Sequence, residues 1–552
     1  SIDGTTGDAT VTQENGSTVA FTPNGSGGFT APSRVLAALV KNGDGTYTFT
    51  RAQDQMHLTF TAAGQLLSVT DRNGYTTTLS YSGSQLTTVT DPAGRTLTFA
   101  HDGSNRITSV TDPIGRSVSF TYDGSSNLAT ATDVAGGVWH FTYDTNHLLL
   151  TMTDPRGGVT TNVYDDSNRV ISQTDAMNRK TTLAYSGPDS NGNGSATVTD
   201  PNGNVNVENY IHAVLVSRTT GYGTAQAATS SYSYDPVTLG ARTSTDPDGH
   251  VTTRTWDANG NLLTSTDGLG RTTTYTYNSF NEVASTTDAL GVTTTNTYDA
   301  RGNLTSTSTP LGTGPVQTSR YVYGDATHPG DVTAMTDPNG RTTRYTYDTD
   351  GNRTSTTDPL GDLTTATYDG IGRQLTQVSP NGHVSGANPA AFTTTSSYDA
   401  FGDTTTNQYD ADRNLTQTTG ANGHTTVNTY DLDGELTQRT QSSVTTTYTD
   451  DVRGNRTSAT AGAVTTTYGY DQANRLTSYV VGATTASYSY DGDGLRQSKM
   501  VDGVPEAFTW DTAEGLPLLL QDGMRQYVYG PGGLLLEQIS GSTTLCYLAD
   551  QL

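Results

Sequence analysis

A Thr-Asp step returns along this chain at a nearly constant spacing, and that repetition constrains the fold more than any other feature. Asp71, Asp91, Asp112, Asp133, Asp154 and Asp175 follow one another at almost equal intervals. The step returns at Asp246, Asp267 and Asp288, and again at Asp337 and Asp358. A second marker, an aromatic residue followed by Asp or Asn, keeps the same period at Tyr122, Tyr143, Tyr164, Trp256, Tyr277, Tyr298, Tyr347 and Tyr368. A unit this short cannot bury a core alone, so it must lean on its neighbours in a stacked array. The phase slips at 186–199, 211–232, 309–330 and 380–397. The pattern resumes after each slip, so these segments read as insertions or degenerate repeats.

One unit, Asp337 to Thr357, shows how the repeat folds. Asp337-Pro338-Asn339-Gly340 has turn chemistry: Pro338 presets φ, the Asp337 carboxylate accepts from turn amides, and Gly340 permits positive φ. Arg341 to Tyr347 alternates as a strand, with Arg341, Thr343, Tyr345 and Tyr347 on one face. Tyr347-Asp348 opens a second turn in which Gly351 takes the left-handed position, and Arg353 to Thr357 returns. The same markers stand at Asp91, Pro92, Gly94 and Arg95, and at Tyr122 and Asp123. Each repeat is thus one β-hairpin, and successive hairpins pair edge to edge into a continuous antiparallel ribbon. Neither face is strongly apolar, so stability is expected from contacts along the array, with Thr–Thr pairs and Tyr ladders across strands.

Composition agrees with an all-β chain of many turns. Only 32% of the 552 residues are hydrophobic, yet the charged fraction is 15%, too low for a disordered polyelectrolyte. The net charge of −25 and the absence of a basic run exclude a nucleic-acid surface, which needs clustered Lys and Arg. The single cysteine, Cys546, excludes an internal disulfide and reads as a small buried hydrophobe. No apolar run approaches the ~20 residues of a helical membrane span. No leader is visible, and both ends break off abruptly, so the chain is expected to be an interior piece of a larger exported polypeptide.

The stretches DPAGRTLTFAHDGSNRITSVTDP (91–113) and DGLGRTTTYTYNSFNEVASTTD (267–288) resemble the Rhs/YD repeat, and the resemblance runs over roughly 60–510. The segment 527–552 is similar to the opening of the Rhs-associated core. The expected organisation is a strand-rich lead-in over 1–65, a YD-repeat β-shell over 66–510, and the start of the core over 511–552. In this family, which includes components of insecticidal toxin complexes and the YD shell of teneurins, the ribbon winds into a hollow spiral shell. The bacterial toxins enclose a C-terminal effector in it, and the end of their core is an aspartyl autoprotease. Those protease motifs are absent here, so no catalytic residue is carried over, and Asp550 matches a core position without assigned chemistry.

Other motifs yield to simpler readings. The Asp-rich turns at Asp348-Thr349-Asp350, Asp410-Ala411-Asp412 and Asp491-Gly492-Asp493 alternate carboxylates as calcium loops do. The Asp348 turn has Arg353 at position six and Pro359 at position twelve, which an EF-hand does not tolerate. His140 and His147 are the closest histidine pair, and neither a zinc motif nor a Ser-His-Asp triad is visible. Trp139, Trp256 and Trp510 could stack on sugars, but packing within the ribbon accounts for them more simply. The sequence therefore leads to a non-catalytic shell, without cofactor or metal, enclosing the C-terminal effector of a secreted contact-dependent toxin. The alternative is a cell-surface adhesion or carbohydrate-binding scaffold whose partners are glycans or a neighbouring cell.

Overall fold

The computed structural model describes all residues except 14–15, 26–27, 33–34, 53, 311–314, 399–406, 420–423, 493, 512–516, 530–534, 542 and 547–552. The side chain of Cys546, the glycine-rich stretch 530–533, Asp493 and Asp550 lie outside the described residues. The fold is all-β. Strands β1 (Ala9–Thr12), β2 (Thr18–Pro23) and β3 (Phe29–Thr30) form a small sheet. From β4 (Ala37–Lys41) and β5 (Tyr47–Arg51) onward, each strand pairs antiparallel with the next as far as Thr393–Thr395. A second run of 15 strands extends from Asn407–Tyr409 to Thr543–Cys546. The only helical structure among the described residues is two short 3-10 turns, Pro380–Gly382 and Pro389–Phe392, inside the last of the phase slips.

The repeat has a fixed register. Thr342–Tyr347 pairs with Arg353–Thr357, and the ladder bulges between Thr346 and Tyr347. The same bulge precedes Tyr122, Tyr143, Tyr164, Trp256, Tyr277 and Tyr298. It turns the aromatic side chain back onto the preceding hairpin. The hydroxyl of Tyr122 donates to the Ile107 carbonyl at 2.7 Å, Tyr277 to Leu262 at 2.8 Å, and Tyr347 to Val332 at 2.7 Å. Where tryptophan replaces tyrosine, the indole N–H makes the equivalent bond, Trp256 to Ala241 and Trp510 to Arg496. At these positions the marker aromatic staples its hairpin to the one before it.

This staple, with a guanidinium over the ring, takes the place of the expected Tyr ladders. Arg106 lies over Tyr122 at 4.4 Å and Arg169 over Tyr185 at 4.6 Å. Tyr468 and Tyr479 do pair ring to ring, with centroids 5.7 Å apart. The expected hydroxyl pairs are present: Thr121 with Thr130 at 2.6 Å, Thr255 with Thr264 at 2.7 Å, and Thr346 with Ser355 at 2.6 Å. Replacing Tyr122 or Tyr347 by phenylalanine is expected to cost about 1 kcal/mol each. The double variant should lose about twice that, because the staples are independent. Urea unfolding of the single and double variants measures both numbers.

A concentrated apolar core lies where the small sheet meets the ribbon. Phe21 is fully buried and packs edge-on against Phe49, ring centroids 6.0 Å apart, with Ala9 and Leu39 beside them. Elsewhere among the described residues the strands are half-buried, and Ala486 is the one further buried apolar side chain.

The ribbon coils. Arg156 meets Asp412 across 22 described strands, and Arg179 meets Asp433 across the same number two strands further on. With strands ~4.8 Å apart, such a coil has a radius of about 17 Å, or about 12 Å inside the side chains. Barrels of 16–18 strands already hold an aqueous channel, so a coil this wide is hollow.

The seam between coils as the candidate functional site

Repeats that carry both markers end in two turns, one at each edge of the ribbon, each built around an aspartate or, at Asn278, an asparagine. The Oδ1 of Asp337 accepts the amides of Asn339 and Arg341 at 2.9 Å, and its Oδ2 accepts Nε of Arg341 at 2.7 Å. Asp91 accepts the Arg95 amide at 2.9 Å and Nε of Arg95 at 2.7 Å. Pro92 and Pro338 fill the second position, and Gly94 and Gly340 take φ of +83° and +82°. At the other edge Asp123 accepts from Ser125, from the Asn127 amide and from the Asn127 side chain, each at 2.9 Å. Asp348 does the same with Asp350 and Asn352. These carboxylates are consumed by their own turns, which is the physical reason for their recurrence.

The donors hold the turn carboxyls down. The Asn127 side chain and amide lower Asp123, and the Arg341 amide and guanidinium lower Asp337. Asp102 and Asp165 are lowered by Arg106 and Arg169 in the same way.

The two edges differ in what they carry, and the coil brings them together. The Asp-x-x-Gly-Arg edge of one coil lies on the Tyr-Asp edge of the next. Arg156 binds Asp412, lies 3.4 Å from Asp410, and donates to the Asp431 carbonyl at 2.8 Å. Arg179 holds its own Asp175 at 2.6 Å and reaches across to Asp433 and to Glu435, the latter at 2.7 Å. Asp200 meets Arg453 at 2.9 Å, and Arg271 meets Asp511 at 3.1 Å. Asp248 accepts the Gly492 amide at 2.9 Å, and Thr224 donates to Gln472 at 3.0 Å. These five contacts at 200, 224, 248, 271 and 179 all span 22 described strands. In the first coil Arg72 binds Glu282.

A second bridge there involves a longer loop. The Gly330 amide donates to the Tyr75 hydroxyl at 3.2 Å. That loop is closed by His328, whose Nδ1 lies 3.1 Å from Asp325 Oδ2 and whose Nε2 lies 3.3 Å from the Thr349 carbonyl. Burial alone would lower the His328 pKa, but these two acceptors raise it.

At the Arg179 contact the carboxyl shifts reverse. Burial pushes Asp433 and Glu435 up in spite of the Arg179 guanidinium, with Asp175 and Asp431 adding to it at Asp433 and Asp431 and Asp450 at Glu435. A lowered folded-state carboxyl contributes stability above its ordinary value of 3.8 and loses it as pH falls through the folded value. A raised carboxyl works the other way, since the native state then holds its proton more tightly. The Arg179 contact is therefore tolerant of mild acid and the turns are not tolerant of strong acid. The urea midpoint is expected to hold between about pH 7 and pH 5 and to fall steeply below about pH 4. A midpoint that drops before pH 5 would contradict this assignment.

The seam was not read from the sequence. Its signals were departures from the repeat: Arg156 at a tip position, Asp412 closely following Asp410, and Asp433 and Glu435 closely following Asp431. The Asp410–Asp412 turn weighed against a calcium loop is the counter-charge to Arg156. Among the described residues no three His, Cys, Asp or Glu side chains are grouped as metal ligands. His140 and His147 are both exposed, and His147 Nδ1 contacts Asn127 at 2.6 Å. Trp256 and Trp510 serve as staples, and Trp139 lines a cleft at the seam beside Arg156. No helix among the described residues is long and apolar enough to cross a membrane.

Comparison with known proteins points the same way. The RHS Repeat family profile matches 60–96, 82–117, 101–138, 122–159, 256–293, 277–313 and 330–363. No curated protein matches the sequence. Among solved structures the fold is similar to the crystal structure of TcdB2-TccC3, with a TM-score of 0.65 and 13% identity over 97% of this chain. It is similar to TcdB2-TccC3-TEV, with a TM-score of 0.59 and 12% identity over 97% of this chain. The Photorhabdus luminescens Tc holotoxin pore carrying TccC3-D651A gives a TM-score of 0.57 and 12% identity, again over 97%. The chain spans 38%, 40% and 39% of those chains. Its repeats and the coil they build make this chain an Rhs/YD-repeat protein with a shell-type fold.

Proposed function

We propose that the chain is the wall of a container that encloses the C-terminal effector domain of an exported, contact-delivered toxin, and that it has no catalytic role of its own. The observation that carries this reading is the hollow coil with a sealed seam. A ribbon that only displayed a surface would have no need to pair Arg156 and Arg179 across 22 described strands. Two coils about 25 Å tall around a lumen about 12 Å in radius leave room for on the order of 100 residues at protein packing density. The fold shared with TcdB2-TccC3 supports the container reading. The partner is then the enclosed domain, held by exclusion and not by a binding pocket, and no cofactor, metal or nucleic acid enters the mechanism. The lead-in over 1–65 closes the first coil, and the residues from 511 onward begin the segment that leads to the cargo. The adhesion alternative has less support, because the marker aromatics direct their polar atoms to backbone carbonyls.

Mass spectrometry of the native gene product, purified without denaturant, tests the proposal. A separate C-terminal polypeptide that leaves only on denaturation is the expected result. A single uncleaved chain without a further domain would favour the adhesion scaffold.

A further inference from the structure

The seam contact at Tyr75 is built differently from those at Arg156 and Arg179. There a guanidinium reaches acids of the next coil directly. At Tyr75 the crossing group is a phenol. Its hydroxyl accepts the Gly330 amide at 3.2 Å and donates to Asp331 at 3.3 Å. The approach is close: a Cβ on Gly330 would stand 2.8 Å from Asn73 Nδ2 and 3.0 Å from the Tyr75 ring. Both partners of Tyr75 lie on the 323–333 loop, so the contact holds only while that loop keeps its shape.

One imidazole shapes the loop. His328 is 8% exposed. Its Nδ1 faces Asp325 Oδ2 at 3.1 Å, and its Nε2 faces the Thr349 carbonyl at 3.3 Å. The Thr327 hydroxyl is also 3.1 Å from Nδ1, but it is committed to Asp325 at 2.6 Å. A carboxylate and a carbonyl only accept, so the ring that satisfies both carries a proton on each nitrogen. The His328 carbonyl accepts the Asp331 amide at 3.0 Å, which links the ring's position to the residue that meets Tyr75. A neutral ring has one N–H and must give up one of its two bonds. Asp325 is the stronger acceptor, so the bond to Thr349 is the one lost. That bond ties the loop to the turn Asp348–Asn352.

We infer that the 323–333 loop is a pH-operated clasp between the coils, closed while His328 holds two ring protons and slackened when it loses one. The surroundings favour the second proton. Asp325 and Asp331 act on the ring from its own loop, and the turn that carries Thr349 brings Asp348 and Asp350. The Tyr347 ring packs at 6.4 Å between centroids, and Arg353 acts on that phenol. The opposite turn brings Asp71, Arg72 and Tyr75. Carboxylates thus outnumber cations. Burial works against the charged ring, but Asp325 and the Thr349 carbonyl outweigh it and raise the ring above its ordinary 6.5. Burial also lifts the Tyr75 and Tyr347 phenols further from neutrality. The imidazole is left as the group that changes charge near neutral pH. With a raised folded-state value, the clasp contributes fully below 6.5 and is lost as pH rises through the folded value. The inference concerns the seam and holds whatever the coil encloses.

Hydrogen exchange of the full chain from about pH 6 to about pH 9 tests it, read as protection factors so that the pH dependence of chemical exchange cancels. Protection over 325–333 and 71–76 is expected to fall about fivefold or more, while the strands Thr342–Tyr347 and Arg353–Thr357 keep theirs. In a chain labelled at histidine Cε1, the NMR resonance missing from His328→Gln should titrate with the same midpoint, above 6.5. In His328→Gln both segments should be insensitive to pH. Protection that stays flat in the wild type would overturn the inference. So would a fall that persists in His328→Gln, a fall shared by the two strands, or a midpoint that differs from that of the ring.

Discussion

Arg179→Glu is expected to separate two coils while leaving the hairpins on either side intact. The guanidinium is 14% exposed and serves three carboxylates, Asp175, Asp433 and Glu435. Removing one partner from a largely buried ion pair costs about 3–5 kcal/mol, because the remaining charges stay desolvated without compensation. Here the replacement adds a fourth carboxylate to three. The ladders on both sides depend on backbone bonds and staples, which the substitution does not touch. Hydrogen exchange should rise around 175–180 and 431–436 and stay slow in the strands behind them. A second change, Glu435→Arg, should restore much of the protection. Arg179→Lys should fall well short of wild type, since an ammonium cannot fork between acids on two elements. Exchange rates identical to wild type would mean that the seam contributes nothing to holding the coils.

Phe21→Ala is expected to have the second large effect, about 3–5 kcal/mol. Phe21 is the one fully buried large side chain among the described residues, and it joins β2 to β4 and β5 through Leu39 and Phe49. The cavity lies at the junction between the small sheet and the start of the coil, so the loss should be local. Proteolysis should cut between Ser1 and Thr30 while the repeats from 66 onward stay protected. Loss of the whole fold in one step would show instead that the first strands nucleate the coil.

Much of this architecture was legible in the sequence, for identifiable reasons. Turn chemistry is local: an Asp-Pro-x-Gly-Arg stretch fixes its own φ values and satisfies its own carboxylate, so the hairpin from Asp337 to Thr357 could be drawn residue by residue. The return strand, read as Arg353 to Thr357, has those bounds in the structure. Three features were not legible. The bulge before each marker tyrosine inserts no unusual residue, so the staple to a carbonyl of the preceding hairpin left no trace. The small core at Phe21 lies in a segment without the period. The coil circumference comes from accumulated strand twist, a sum over many small rotations that no single residue encodes. With it the seam was hidden, and Asp412 and Asp433 read as ordinary turn acids.

The shared span of 22 described strands between the paired edges at 156, 179, 200, 224, 248 and 271 has a consequence for how such a wall can change. Each seam contact compares two distant points of one sequence, so the wall behaves as text read in a frame. Inserting or deleting a single hairpin moves every later turn by one position and sets Arg156, Arg179 and Arg271 opposite the wrong letters. A loop that lengthens within one hairpin, as the 323–333 segment does, leaves the frame intact. Natural variation is therefore expected to accumulate as loop insertions and as compensated pairs of hairpin gains and losses within one circumference. Isolated changes in hairpin number should be found only in the last coil, where no later line of text depends on them.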